Sequence, residues 1–123
     1  MICAVLFDLD GTLYDRDAAI RWMAEQQFEA FQDELRVLKH DFVEHLLKLD
    51  GHGHNRCPQL HHVLAQELSF DGDLADRLEE YFRCHYPYQC RLSEDTLETL
   101  KQYLIGRFRV MFLELMTSAN SCR

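Results

Sequence analysis

The sequence predicts an α/β fold, about two parallel strands carrying a large helical insertion, on three observations. Residues 2–7 are an unbroken run of apolar, β-prone residues that stops abruptly at Asp8. Apolar residues then recur at steps of three and four over residues 16–85, the period of amphipathic helices. A second apolar run, from Val110 to Leu113, follows one further helical stripe. A strand without polar alternation reads as covered on both faces, the condition of a parallel sheet between helices. The chain has 123 residues, 14.6 kDa, 47% of them hydrophobic and 28% charged, which is the composition of one globular domain. At this size roughly two thirds of the unfolded surface can be buried.

Each element has its own signal. Gly11 permits a sharp turn after the first strand. Ile20, Met23, Ala24, Phe28, Phe31 and Leu35 form one stripe on a first helix, capped by Asp15 or Asp17. Phe42, Val43, Leu46 and Leu47 mark a shorter second helix, stopped by Gly51. Pro58 suits the first turn of a third helix bearing Leu60, Val63, Leu64 and Leu68. Leu74, Leu78, Tyr81 and Phe82 mark a fourth, ended by Pro87, and residues 87–92 read as a linker. Ser93 caps a fifth helix carrying Leu97, Leu100 and Leu104, with Gly106 as its stop. The expected division is a core from residues 1–15 and 88–123, with residues 16–87 as a helical insertion.

Lys and Arg number 13 against 21 Asp and Glu, a formal net charge of −8. That field repels polyanions, so neither a nucleic-acid polymer nor an anionic membrane surface is an expected partner. The apolar start has no basic leader and is too short for a signal core or a membrane span. Cys3, Cys57, Cys84, Cys90 and Cys122 make an odd count without framework spacing, which predicts reduced thiols in the cytoplasm. His52, His54, His61 and His62, with Cys57 among them, offer zinc-type ligands. Their spacing matches no paired ligand pattern, and adjacent His61 and His62 diverge on a helix, so a polar loop and helix surface is the reading. Arg16 and Arg21 read as solvated helix charges.

The chemistry is concentrated in Asp8-Leu9-Asp10-Gly11-Thr12-Leu13-Tyr14, at the carboxyl end of the first strand. Ligands of open α/β sheets bind beyond that end of the strands. Carboxylates at i and i+2 of a strand point to one face and repel when both are ionised. A hard divalent cation relieves that repulsion, and Mg²⁺ suits oxygen ligands together with a bound phosphate.

This run resembles the first motif of the haloacid dehalogenase (HAD) superfamily of hydrolases, an apolar N-terminal strand ending in Asp-x-Asp-Gly-Thr. The resemblance implies a HAD-like Rossmannoid core with an inserted helical cap. It implies that Asp8 is the nucleophile, forming an aspartyl-phosphate, and that Asp10 is the general acid and then the base. Mg²⁺ would be held by the Asp8 carboxylate and the Asp10 backbone carbonyl, with Gly11 and Thr12 shaping the loop around the phosphoryl group. Residues 110–118 fall where the second motif belongs, so Thr117, or failing it Ser118, would bind the transferring phosphoryl group. A halide leaves without a proton, whereas an alkoxide leaves better protonated, so Asp10 favours phosphoester hydrolysis over dehalogenation.

The expected activity is therefore Mg²⁺-dependent hydrolysis of small phosphate monoesters, a phosphorylated metabolite or nucleotide. The family's third motif, a Lys, and its fourth, an acidic pair, have no counterpart before Arg123. That predicts impaired turnover in a truncated chain, and self-association through an incompletely covered core. The alternative is a non-catalytic isoform or binding module that keeps the cap and the acidic loop. A receiver-like domain also phosphorylates an Asp, but on a later strand than the one that carries Asp8.

Overall fold

A computed structural model describes residues 4–8, 12–55, 57–105 and 109–113. The elements in order are β1 (Ala4–Asp8), α1 (Arg16–Phe31), α2 (Lys39–Asp50), α3 (Leu60–Leu68), α4 (Gly72–His85), α5 (Glu94–Ile105) and β2 (Arg109–Leu113). Short 3₁₀ turns at Gly51–Gly53 and Tyr86–Gln89 follow α2 and α4. No helix among the described residues is long and apolar enough to cross a membrane.

The chain divides into two compact units. One runs over Asp17–Gln89 and is wholly helical apart from its connections. Its core gathers Ile20 and Ala24 from α1, Phe42, Val43 and Leu46 from α2, Leu64 from α3, and Leu74 and Leu78 from α4. Every one of these lies on the apolar stripe of its helix, which is why four amphipathic helices close on one another. Helix ends follow local chemistry. The Asp71 side chain caps α4 by accepting from the Asp73 N–H at 3.3 Å. Gly51 ends α2 with φ +54°, a left-handed conformation open to glycine at little cost. The α1 stripe outruns its helix. The helix stops at Phe31, and Leu35 reaches the core from a turn whose N–H bonds back to the Phe31 carbonyl at 2.9 Å.

The other unit contains β1, residues 12–16, α5 and β2. The two strands pair in parallel, in the register Ala4↔Arg109 through Asp8↔Leu113. Ser93 caps α5, its Oγ accepting from the Thr96 N–H at 3.2 Å. Phe7 and Tyr103 meet edge to face with ring centroids 5.6 Å apart.

The fold class expected from the sequence is corrected by this architecture. The described residues are mostly helical, and two five-residue strands in one ladder do not make an α/β Rossmannoid core. The physical reason lies in coverage. β1 alternates between exposed and half-buried residues, and Leu6 is 59% exposed, so the strand is not covered on both faces. The apolar helical stripes instead bury one another, within Asp17–Gln89.

Candidate functional site

Asp8 is the last residue of β1 and is exposed. Four residues on, Thr12 follows in a turn, and its hydroxyl donates to Asp8 Oδ2 at 3.0 Å. The local sequence explains the contact. Four residues of separation let the short Thr12 side chain reach the carboxylate. The hydrogen bond fixes the rotation of the carboxylate and engages one of its two oxygens. Of the other predicted site residues, Asp10, Gly11, Thr117 and Ser118 lie outside the described residues.

Phe7 and Leu13, next in sequence to Asp8 and Thr12, both line a shallow cleft of about 210 Å³ together with Asp95, Thr96, Thr99 and Leu100 of α5. Successive side chains of a strand point to opposite faces. Phe7 faces the cleft, so Asp8 belongs to the other face with Ala4 and Leu6. Among the described residues no group of three or more His, Cys, Asp and Glu side chains gathers to hold a metal ion. The Asp8 carboxylate and Thr12 hydroxyl form an all-oxygen donor pair, the chemistry that Mg²⁺ prefers.

The histidines separate. The His52 Nδ1 meets Asp17 Oδ2 at 2.8 Å, and the His62 Nε2 meets Asp76 Oδ1 at 2.7 Å, both on the surface. His61 turns inward and is only 2% exposed. Its Nδ1 lies 2.5 Å from Glu79 Oε2, its Nε2 lies 2.9 Å from the Gln27 amide nitrogen and 3.4 Å from the amide oxygen, and that nitrogen donates to the Leu78 carbonyl at 2.7 Å. The hydrogen bond from His61 is the main reason that the Glu79 carboxyl sits below its ordinary range. Burial opposes the shift, and the charges of His61, Arg83 and His62 reinforce it.

Sequence reading assigned His61 to a polar surface and missed this cluster. One signal was present: His61 stands three residues before Leu64 and seven before Leu68, on the apolar face of α3, as Gln27 stands four after Met23 on α1. Arg21 pairs with Glu44 at 3.1 Å, both half exposed, in keeping with a solvated helix charge. Cys57 and Cys90 are half-buried and outside any disulfide. Cys84 is disulfide-bonded, which corrects the expectation of reduced thiols throughout.

Comparison with protein-family models, with curated proteins and with solved structures finds no match to this chain.

Proposed function

We propose that the chain carries HAD-type phosphatase chemistry in the sequence from Asp8 to Thr12. One observation supports it beyond the sequence motif: the Thr12 hydroxyl holds Asp8 Oδ2, which leaves Oδ1 to act as the nucleophile. Oδ1 attacks phosphorus, the bond from phosphorus to the leaving oxygen breaks, and Asp10 supplies the proton that the alkoxide needs. Asp10 then takes a proton from water as that water attacks the aspartyl-phosphate and releases inorganic phosphate. Mg²⁺, when bound to Asp8 and Asp10, offsets the negative charge that nucleophile and phosphate bring together.

The proposed substrates are small phosphate monoesters, metabolite or nucleotide, because the net charge of −8 disfavours polyanions. The same reading sets the chain in the cytoplasm, a setting supported by Cys57 and Cys90 standing outside any disulfide and opposed by the Cys84 disulfide. Exposure of Leu6 on β1 supports the proposed self-association.

A second reading, a non-catalytic binding module, draws on a different observation. Asp8 and the cleft belong to opposite faces of β1.

The test is hydrolysis of 4-nitrophenyl phosphate by the full chain with and without Mg²⁺. Turnover should require the cation, vanish in Asp8→Asn and fall about 10²–10⁴-fold in Asp10→Asn. Phosphate release that survives intact in Asp8→Asn would refute the nucleophile. Absence of turnover with retained Mg²⁺ binding at Asp8 would favour the binding module.

A further inference from the structure

β1 has a partner on one edge only. It pairs with β2 in a two-stranded sheet, and no further backbone partner of Ala4–Asp8 is found among the described residues. The other edge presents N–H and C=O groups that a further strand can take up. Edge strands commonly resist such pairing with a Lys, a Pro or a bulge. Residues 2–7 hold no charged residue, no Pro and no Gly, and β1 meets β2 residue for residue. β2, by contrast, opens on Arg109. No residue of β1 is buried: Val5 and Phe7 are half-buried, Ala4, Leu6 and Asp8 exposed, Leu6 to 59%.

We propose that this edge takes the same edge of a second copy, β1 against β1 in antiparallel order about a two-fold axis. The result is a four-stranded sheet with β2 of each copy outermost. The inference rests on the self-association proposed above and not on the phosphatase chemistry.

A five-residue strand has one antiparallel register with its own copy that pairs every residue. It sets Leu6 opposite Leu6 of the second copy, Val5 opposite Phe7, and Ala4 opposite Asp8. Directly opposite residues share a face. On the exposed face, the two Leu6 side chains meet at the axis and remove each other from water. On the other face, an aliphatic Val5 packs on an aromatic Phe7, twice by symmetry.

Charge selects the same register. The net charge of −8 opposes association, and Asp8 is the one charged residue of β1. The two Asp8 residues stand four residues out of step, about 14 Å along the strands, beyond the screening length of about 8 Å at physiological ionic strength. Each faces Ala4, the smallest residue of the strand, and on the far side of Ala4 in that row stands the basic residue Arg109 of β2. A register centred on Phe7 sets Leu6 against a carboxylate, and one centred on Asp8 sets the carboxylates against each other. Five residues a side are few beside the roughly 20–30 of a standard interface, so the dimer is weak and depends on concentration.

The test uses the full chain. Sedimentation equilibrium over a wide range of concentration should fit a monomer–dimer equilibrium. Leu6→Lys sets two ammonium groups face to face on the axis and should weaken the dimer about tenfold or more. Mild oxidation of Leu6→Cys should give a covalent dimer whose mapped bridge joins the two substituted positions. Val5→Cys, whose copies lie two residues out of step, should not bridge to itself. Amide exchange at Val5–Phe7 of the unmodified chain should slow as the dimer fills. A monomer at every concentration would overturn the edge and the self-association together. A dimer that Leu6→Lys leaves intact, or that leaves exchange at Val5–Phe7 unchanged, would overturn the edge while self-association stands. Open-ended polymers would also overturn it, because β1 on β2 of the next copy never closes. The exchange arm needs no variant, so a substituted chain that fails to fold does not shield the proposal.

Discussion

The two units spend their apolar residues differently. In Asp17–Gln89, four helices each turn a stripe inward, and Phe42, Ile20, Met23, Leu46, Leu64 and Leu78 are all fully buried. In the other unit, a strand of comparable apolarity leaves Leu6 mostly in water. The difference is geometric. A helix presents all its apolar residues on one side, so four helices can satisfy one another. A strand presents them on two sides and needs a neighbour above and below as well as along its edges. Stability should therefore be concentrated in the helices, and the candidate chemistry sits on the less protected element.

The largest effect expected from this contrast is in the helical core. Phe42→Ala should cost about 3–5 kcal/mol by denaturant unfolding, whereas Leu6→Ala, at a site already 59% exposed, should change stability by no more than about 0.5 kcal/mol. Equal losses at the two sites would mean that β1 is covered as well as the helices are, and the contrast would fall.

A smaller effect concerns the Glu79 carboxylate. Glu79 is held below its ordinary value of 4.5, chiefly by His61, so its contribution is present above that pH and lost as pH falls through the lower folded value. Glu79→Gln should remove about 1 kcal/mol of stability at neutral pH, discounted for its one-third exposure, and flatten the acid limb below pH ~4.5. An acid limb unchanged in the variant would assign that loss of stability to other carboxylates.

The smallest concerns α5. Ser93→Ala removes the cap acceptor and should cost about 0.5–1 kcal/mol, read as faster amide exchange at Thr96 with little change in the α2 and α3 amides. Uniform acceleration across both sets would show that the units open together.

Much of the helical structure was legible because its signals are local. Gly51 as the stop of α2 and Ser93 as the cap of α5 depend on residues within one turn. Leu35 shows the limit of periodicity, since an apolar residue in step with a stripe can reach the core from beyond the helix end. His61 shows another limit. Its partners lie 18 and 34 residues away, so its burial depends on a three-dimensional arrangement that no single stripe encodes. The fold class failed for a related reason: an apolar run announces a strand but cannot count how many strands will cover it. At the site, sequence placed Thr12 beside the phosphoryl group and did not foresee its bond to Asp8, while Asp10, Gly11, Thr117 and Ser118 fall outside the described residues.

The register of β1 on β2 has a kinetic side. Its partners are separated by about a hundred residues of chain, and closing a flexible loop of that length costs about 4 kcal/mol of entropy before any pairing energy returns. Five residue pairs in one ladder give little back, whereas α3 and α4 meet across a connection of three residues, Ser69 to Asp71. Helical contacts of such short range form early, and strand pairing of such long range forms late. Asp8, the last residue of β1, thus sits on the last pairing of the chain to assemble.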